Sequence, residues 1–228
     1  MTYSNGAALG AFAAAFFVGY ALLPAWAAIA PTRHWHWLPY LGLVAMVMGP
    51  VGLAPGLLRV ERWLLTFLLA VLAAWLLVPT WADLQPARPT YVLILTAYIL
   101  LLSMLLDPLP AHVPVRLFLA ALTIVAGAGA IMLAVFVSLT FGQLAGIAAT
   151  AMAGCTIAAF RVGGPTLTRA VIPAFAVLVG GSLFVGSIEP DPALHGFLLV
   201  PAAPLGLWTC LRGPLARHRG VAGGTIGL

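Results

Sequence analysis

Residues 31–40, PTRHWHWLPY, interleave His34 and His36 with Trp35 and Trp37 between two long apolar runs. Imidazole nitrogens ligate zinc or copper, and three or four donors complete a coordination shell. EPDPALHG supplies the matching donors, so His34, His36, Asp191 and His195 form the candidate metal set. The competing use of the same residues is anchoring at a membrane surface. In an extended strand alternate residues face opposite ways, which would point both imidazoles to water and sink both indoles among lipid headgroups. Nothing in the spacing brings the two loops together, so anchoring is the favoured reading and no metal or other cofactor is expected.

Other chemistry is sparse. The chain has no lysine, which removes Schiff-base chemistry with retinal or pyridoxal. It has no Walker loop, no HExxH and no GxSxG. Cys155 and Cys210 both lie in apolar runs and read as free thiols rather than a disulfide framework. These absences tilt the reading away from an enzyme, leaving an outer-face metal-dependent membrane enzyme as the least favoured of three functions.

The elements that must position these residues follow from composition. Hydrophobic residues make up 63% of the 228 and mean hydropathy is +1.12, whereas soluble domains are about 45–50% apolar. Ten arginines and five acids cannot coat a water-facing surface of this size, so the outer surface is expected to face the lipid bilayer. The pI of 9.9 arises from arginines that flank apolar segments, where they meet headgroups. Nucleic acid is therefore not expected as a partner. ALLPAWAAIAPT carries Ala28 and Ala30 in a pattern that imitates a signal-peptidase site. MTYSNG ahead of it has no positive charge, and the apolar run is long for a signal peptide, so a retained span is expected.

A span needs about 20 apolar residues to cross about 30 Å of hydrocarbon. That ruler predicts an all-α, polytopic protein with eight transmembrane helices and short loops, near 7–30, 38–57, 63–80, 90–107, 115–138, 141–160, 168–188 and 194–211. Between Arg116 and Arg161 nothing charged intervenes, so the chain must turn back, and SLTFGQ at 138–143 offers the polarity and the joint. Residues 1–211 read as one domain and 212–228 as a basic, then glycine-rich tail. Eight spans put Arg59, Arg62, Arg116, Arg161, Arg169, Arg212, Arg217 and Arg219 on one side and only Arg33 and Arg88 on the other. By the positive-inside rule both termini are cytoplasmic and the location is the inner (plasma) membrane. RGPLARHR should attract anionic lipid at that cytoplasmic face. Arg62, Arg116, Arg169 and Arg219 recur at 54, 53 and 50 residues, a spacing that any two spans with short loops produce without internal duplication.

Glycine and proline inside spans are the remaining signal, because interrupted helices expose backbone groups to a solute. Gly127, Gly129, Pro173, Gly180, Gly181 and Ser182, with Gln143 at the joint, form the candidate substrate pathway. Gly142, Gly146, Thr150 and Gly154 recur at four-residue intervals, the pattern of a helix-packing seam. Ten of the eighteen residues 142–159 are Gly or Ala, which predicts that the sixth span is the central, most enclosed helix. The leading functional expectation is a small transporter or channel for a neutral, amphiphilic or lipid-like solute. The second is a non-catalytic subunit or assembly factor with a membrane-protein partner or a second copy of itself.

Overall fold

The computed structural model describes residues 16, 18–22, 31, 33–51, 58–162, 165–188 and 195–208. Among them the chain is entirely helical, without a strand, and five helices are long and apolar enough to cross a membrane. In chain order the elements are α1 (Leu38–Val51), α2 (Arg59–Leu77), α3 (Arg88–Leu106), α4 (Val115–Phe136), α5 (Leu139–Val162), α6 (Pro165–Phe175) and α7 (Gly181–Gly186). A π-helical stretch, Ala176–Gly180, joins α6 to α7, so the seventh predicted span is one continuous helical rod. Three 3-10 helices complete the set: His34–Trp37 leads into α1, Leu109–Ala111 lies between α3 and α4, and His195–Gly206 comes near the end of the described chain.

Local sequence explains the boundaries. At the start of α2 the Leu58 backbone N–H donates to Glu61 Oε2 at 2.9 Å, satisfying a donor that the helix leaves over. Pro79 follows the extended Val78 and stops the helix. Pro89 opens α3, where its missing N–H costs nothing. The α4–α5 joint falls at Val137 and Ser138, at the leading edge of the predicted 138–143 turn, whose other residues already belong to α5; Ser138 Oγ accepts the Phe141 N–H at 3.3 Å as the cap of α5. Two arginines cap neighbouring helices. Arg88 donates to Trp75 O at 2.7 Å and lies over the Trp75 ring, and Arg116 does the same to Phe160 O at 3.1 Å and the Phe160 ring. Each supplies donors to the carbonyls a helix end leaves unpaired.

Packing departs from expectation at the centre. Of the most apolar 18-residue stretch of each span, 89% is buried in Thr168–Gly186 and 44% in Leu139–Phe160. The central rod is thus the seventh predicted span, not the sixth. Its bulk makes the difference: Phe175, Val177, Leu178, Leu183 and Phe184 present side chains on every side, and all are buried. α5 instead pairs with α4, where a hydroxyl bond links Thr123 and Thr156 at 2.8 Å. The outward faces are as apolar as the core, as Leu117, Ile124 and Ile131 show at seven-residue intervals along α4, all exposed.

The ends of the predicted series also differ. Of the first span, only Phe16 and Val18–Leu22 are described; Phe16 and Tyr20 are buried. The second span appears as the 14-residue α1, and residues 52–57 lie outside the described residues. The eighth is a 12-residue 3-10 helix rather than an α-helix. At about 2.0 Å per residue those twelve residues rise about 24 Å, and residues 194 and 209–211 of the predicted span lie outside the described residues. Pro201 and Pro204 account for the 3-10 form: each lacks an N–H, and their rings would strike the carbonyls four residues back in an α-helix. Both termini, Arg161's side chain, and Arg212, Arg217 and Arg219 lie outside the described residues.

Candidate functional site

Two polar cavities lie at opposite ends of α2 and α3. Arg62 on one and Trp75 on the other are separated by thirteen residues of helix, about 20 Å. The larger cavity has a volume of about 590 Å³, and its wall includes Arg33, His34, Trp35, Trp37, Trp75 and Trp81. A neighbouring cavity of about 290 Å³ shares Arg33 and Trp35 with it and reaches Ser138 and Phe141 at the α4–α5 joint. Together they make an aromatic vestibule.

The vestibule corrects the expected geometry of the HWHW motif. His34–Trp37 is a 3-10 helix, not an extended strand, and at three residues per turn His34 and Trp37 share a face. His34, Trp35 and Trp37 therefore all line the cavity, while His36 does not. His36 Nδ1 accepts the Arg33 backbone N–H at 3.4 Å, and its ring stands edge-on to Trp35 with centroids 3.9 Å apart. His34 meets Trp81 edge-to-face at 5.8 Å and approaches Phe141 at 6.3 Å. Its Nε2 is buried without a hydrogen-bond partner. An orphaned polar atom of this kind costs about 1–3 kcal/mol, which a polar ligand atom or water in the cavity would offset.

Burial, then the neighbouring His36 and Arg33, lower the His34 pKa from 6.5 to about 4. Burial and Arg33 also lower that of His36. His34 is thus neutral near pH 7. Because its folded value lies below its unfolded value, the unfolded chain takes up the proton first as pH falls. Its contribution is fully present above about pH 6.5 and is lost as pH falls through 4. Melting temperatures from pH 7 to pH 4 should fall more steeply for the parent than for His34→Asn. The expected difference is about 1–2 kcal/mol, the full shift discounted for solvent screening at a cavity wall. Parallel curves would show that His34 is not buried in its neutral form.

The metal alternative gains nothing from the described residues, which contain no group of three His, Cys, Asp or Glu able to hold an ion. Asp191 and the His195 side chain lie outside the described residues. The pathway residues do not line the cavities of the vestibule. A Cβ on Gly129 would meet Leu183 at 2.9 Å, one on Gly181 would meet Leu77 at 2.9 Å, and one on Gly180 would meet Leu102 and Tyr98 at 3.3 Å. These glycines are close-packing points. Ser182 Oγ donates to Val179 O at 3.2 Å within its own rod. Gln143 is exposed, Gly127 has no described neighbour within 4 Å of an added Cβ, and Pro173 borders a cavity. Of the seam residues, Gly142 does pack, against Ala134 of α4, whereas Gly146 and Gly154 have no described atom within 4 Å of an added Cβ and Thr150 is exposed, bonded to Ile147 O.

The smaller cavity, about 20 Å³, was not anticipated. Its polar wall is Arg62, Thr66, Ser103, Asp107 and Arg169, and Pro173 closes one side. Arg62 and Asp107 form an ion pair with side chains 25% and 19% exposed. Ser103 Oγ and Arg169 Nε are buried without partners. The sequence expectation puts Arg62, Arg169 and the loop at 107–114 on one side of eight spans; the pairing of Arg62 with Asp107 across 45 residues is a property of the fold.

Compared with known proteins, the chain matches no protein family, no curated protein and no solved structure. The class it defines rests on its own architecture, a helical bundle with five helices long and apolar enough to cross a membrane.

Proposed function

We propose that this chain is a multi-pass inner-membrane protein that takes an amphiphilic, lipid-like solute into the aromatic vestibule as the first stage of moving it across the bilayer. The observation that carries the reading is the vestibule itself: four indoles for an apolar body, with the Arg33 guanidinium and the unpartnered His34 nitrogen for a polar head. Its volume falls in the usual range of small-molecule sites, about 300–1,000 Å³, and its accessible lining is more polar than apolar, which suits a solute that carries a headgroup. The central rod supports movement. Pro173 removes one of its hydrogen bonds and the π-helical stretch Ala176–Gly180 re-registers the rest, so it can bend between the two cavities. The arginine bias gives the orientation, with the Arg62 end cytoplasmic and the vestibule outside.

A brominated single-chain amphiphile tests binding, because bromine quenches tryptophan at contact. Titrated into protein in nanodiscs, it should quench saturably, and Trp35→Phe with Trp81→Phe should remove about half or more of the saturable part. In sealed vesicles of a cysteine-free parent, an impermeant maleimide should label Gln85→Cys and not His112→Cys from the vestibule side. Quenching that rises linearly in the parent, like that of any headgroup-level indole, sinks the reading.

The non-catalytic subunit reading draws on a different observation, the close packing of neighbouring side chains against Gly129, Gly180 and Gly181. If cross-linking of native membranes captured a stoichiometric complex while the titration gave no saturation, that reading would replace the first.

A further inference from the structure

We propose that the small cavity between α2, α3 and α6 is a binding site for one anionic oxygen or halide, with Arg169 and Ser103 as its principal donors. This site lies at the far end of the bundle from the vestibule and stands independently of the reading given above. Three observations carry it. Ser103 is 3% exposed and its Oγ has no partner. Arg169 Nε, on the same cavity wall, is likewise buried and unpartnered. The carboxylate that could have answered them, Asp107, is engaged by Arg62.

The charges fix the sign of the ligand. Two guanidinium groups face one carboxylate, so the wall carries a net positive charge, and a hydroxyl and a guanidinium N–H both lack an acceptor. A cation would meet the surplus arginine. A water could accept from both donors but would leave the charge unbalanced. An anion answers both, and arginine is the side chain whose fork matches oxyanions. The volume fixes the size. About 20 Å³ holds a single water-sized group, which excludes an organic solute but admits chloride or one oxygen of a phosphate whose remainder stays at the rim. Trp63 on the same wall and the partly exposed Arg62 place that rim at the end of α2, where a headgroup phosphate would lie in a bilayer.

Phosphate-type oxygen can come from an anionic lipid or from solution, and one set of titrations separates the sources. Thermal stability of the purified full chain is measured against dioctanoyl phosphatidylglycerol, dioctanoyl phosphatidylcholine, inorganic phosphate and chloride at constant ionic strength. The expected result is saturable stabilisation by phosphatidylglycerol but not phosphatidylcholine. Its apparent affinity should fall about tenfold in Arg169→Gln and about threefold in Ser103→Ala, and be unchanged in Arg59→Gln, which alters an exposed arginine near the same end. Arg169→Lys, which keeps charge but not the fork, guards against misfolding and should show an intermediate loss. Saturation by phosphate or chloride alone, with the same variant pattern, keeps the site and assigns it to a free anion. Stabilisation that is absent, or equal in the parent, Arg169→Gln and Arg169→Lys, overturns the proposal.

Discussion

Gly49→Ala should destabilise the fold severely, and Gly142→Ala nearly as much, while Gly146→Ala does not destabilise it. An alanine Cβ at residue 49 would sit 2.1 Å from the Ala170 carbonyl oxygen and 2.9 Å from its carbon. Those are backbone atoms of the central rod, so no rotamer change relieves the clash and α1 must move away from α6. At Gly142 the Cβ would lie 2.3 Å from Ala134 Cβ and 2.6 Å from its Cα, forcing apart α4 and α5. Overpacking typically costs about 1–3 kcal/mol, and backbone clashes belong at the upper end or beyond. That corresponds to a fall in melting temperature of about 6–12 °C for a chain of this length. Gly146 and Gly154 have no described atom within 4 Å of an added Cβ, so alanine there should not lower the midpoint. Thermal melts of the four variants in one detergent decide the matter. A stable Gly49→Ala protein would mean that α1 does not rest on the rod.

The second large effect is expected at the ion pair. Asp107→Ala leaves Arg62 and Arg169 facing one cavity with no carboxylate between them. Breaking a buried pair from one side costs about 3–5 kcal/mol; with side chains 25% and 19% exposed, about 2–3 kcal/mol is the expected loss. Arg62→Met/Asp107→Leu removes both charges together and should recover to within about 1 kcal/mol of the parent, since apolar replacement of a paired charge is often neutral. Chemical denaturation of the singles and the double gives the coupling directly. If the double is as unstable as Asp107→Ala, the pair is not the source of the loss.

What was legible in the chain divides along physical lines. The α4–α5 joint is readable because Ser138, Thr140, Gly142 and Gln143 are the main polar or flexible residues in an apolar run too long for one crossing. The end-on placement of nearly every charge is readable for the same reason, since desolvation excludes them from the middle. The central helix is not. Small residues permit close approach but do not say from which side a neighbour comes, so glycine density points to α5, while enclosure falls on the bulkier rod of α6 and α7. HWHW alternates with period two, as a strand does, yet it runs straight into α1, whose second residue, Pro39, suits a helix start. His34, Trp35 and Trp37 therefore all reach the vestibule, an arrangement that period-two alternation conceals. Ser103 and Arg169 are ordinary as letters, and only their shared cavity makes them a candidate site.

The enclosure of the α6–α7 rod bears on how such a protein is made. A segment surrounded by its own chain in the finished molecule has no walls to rest on until the earlier helices stand around it. In a bilayer it must first be apolar enough to leave the translocation machinery alone, and it qualifies on length and composition. It must then exchange every lipid neighbour for a protein one. Gly49, Gly129, Gly180 and Gly181, at its contacts with the rest of the bundle, are what let the walls close on it. Synthesis from the N-terminus fits that sequence of events: the walls come first, the rod is delivered late, and the short 3-10 helix that follows lays its Leu198 carbonyl against the Tyr98 hydroxyl at 2.9 Å, fastening the assembly once the rod is in.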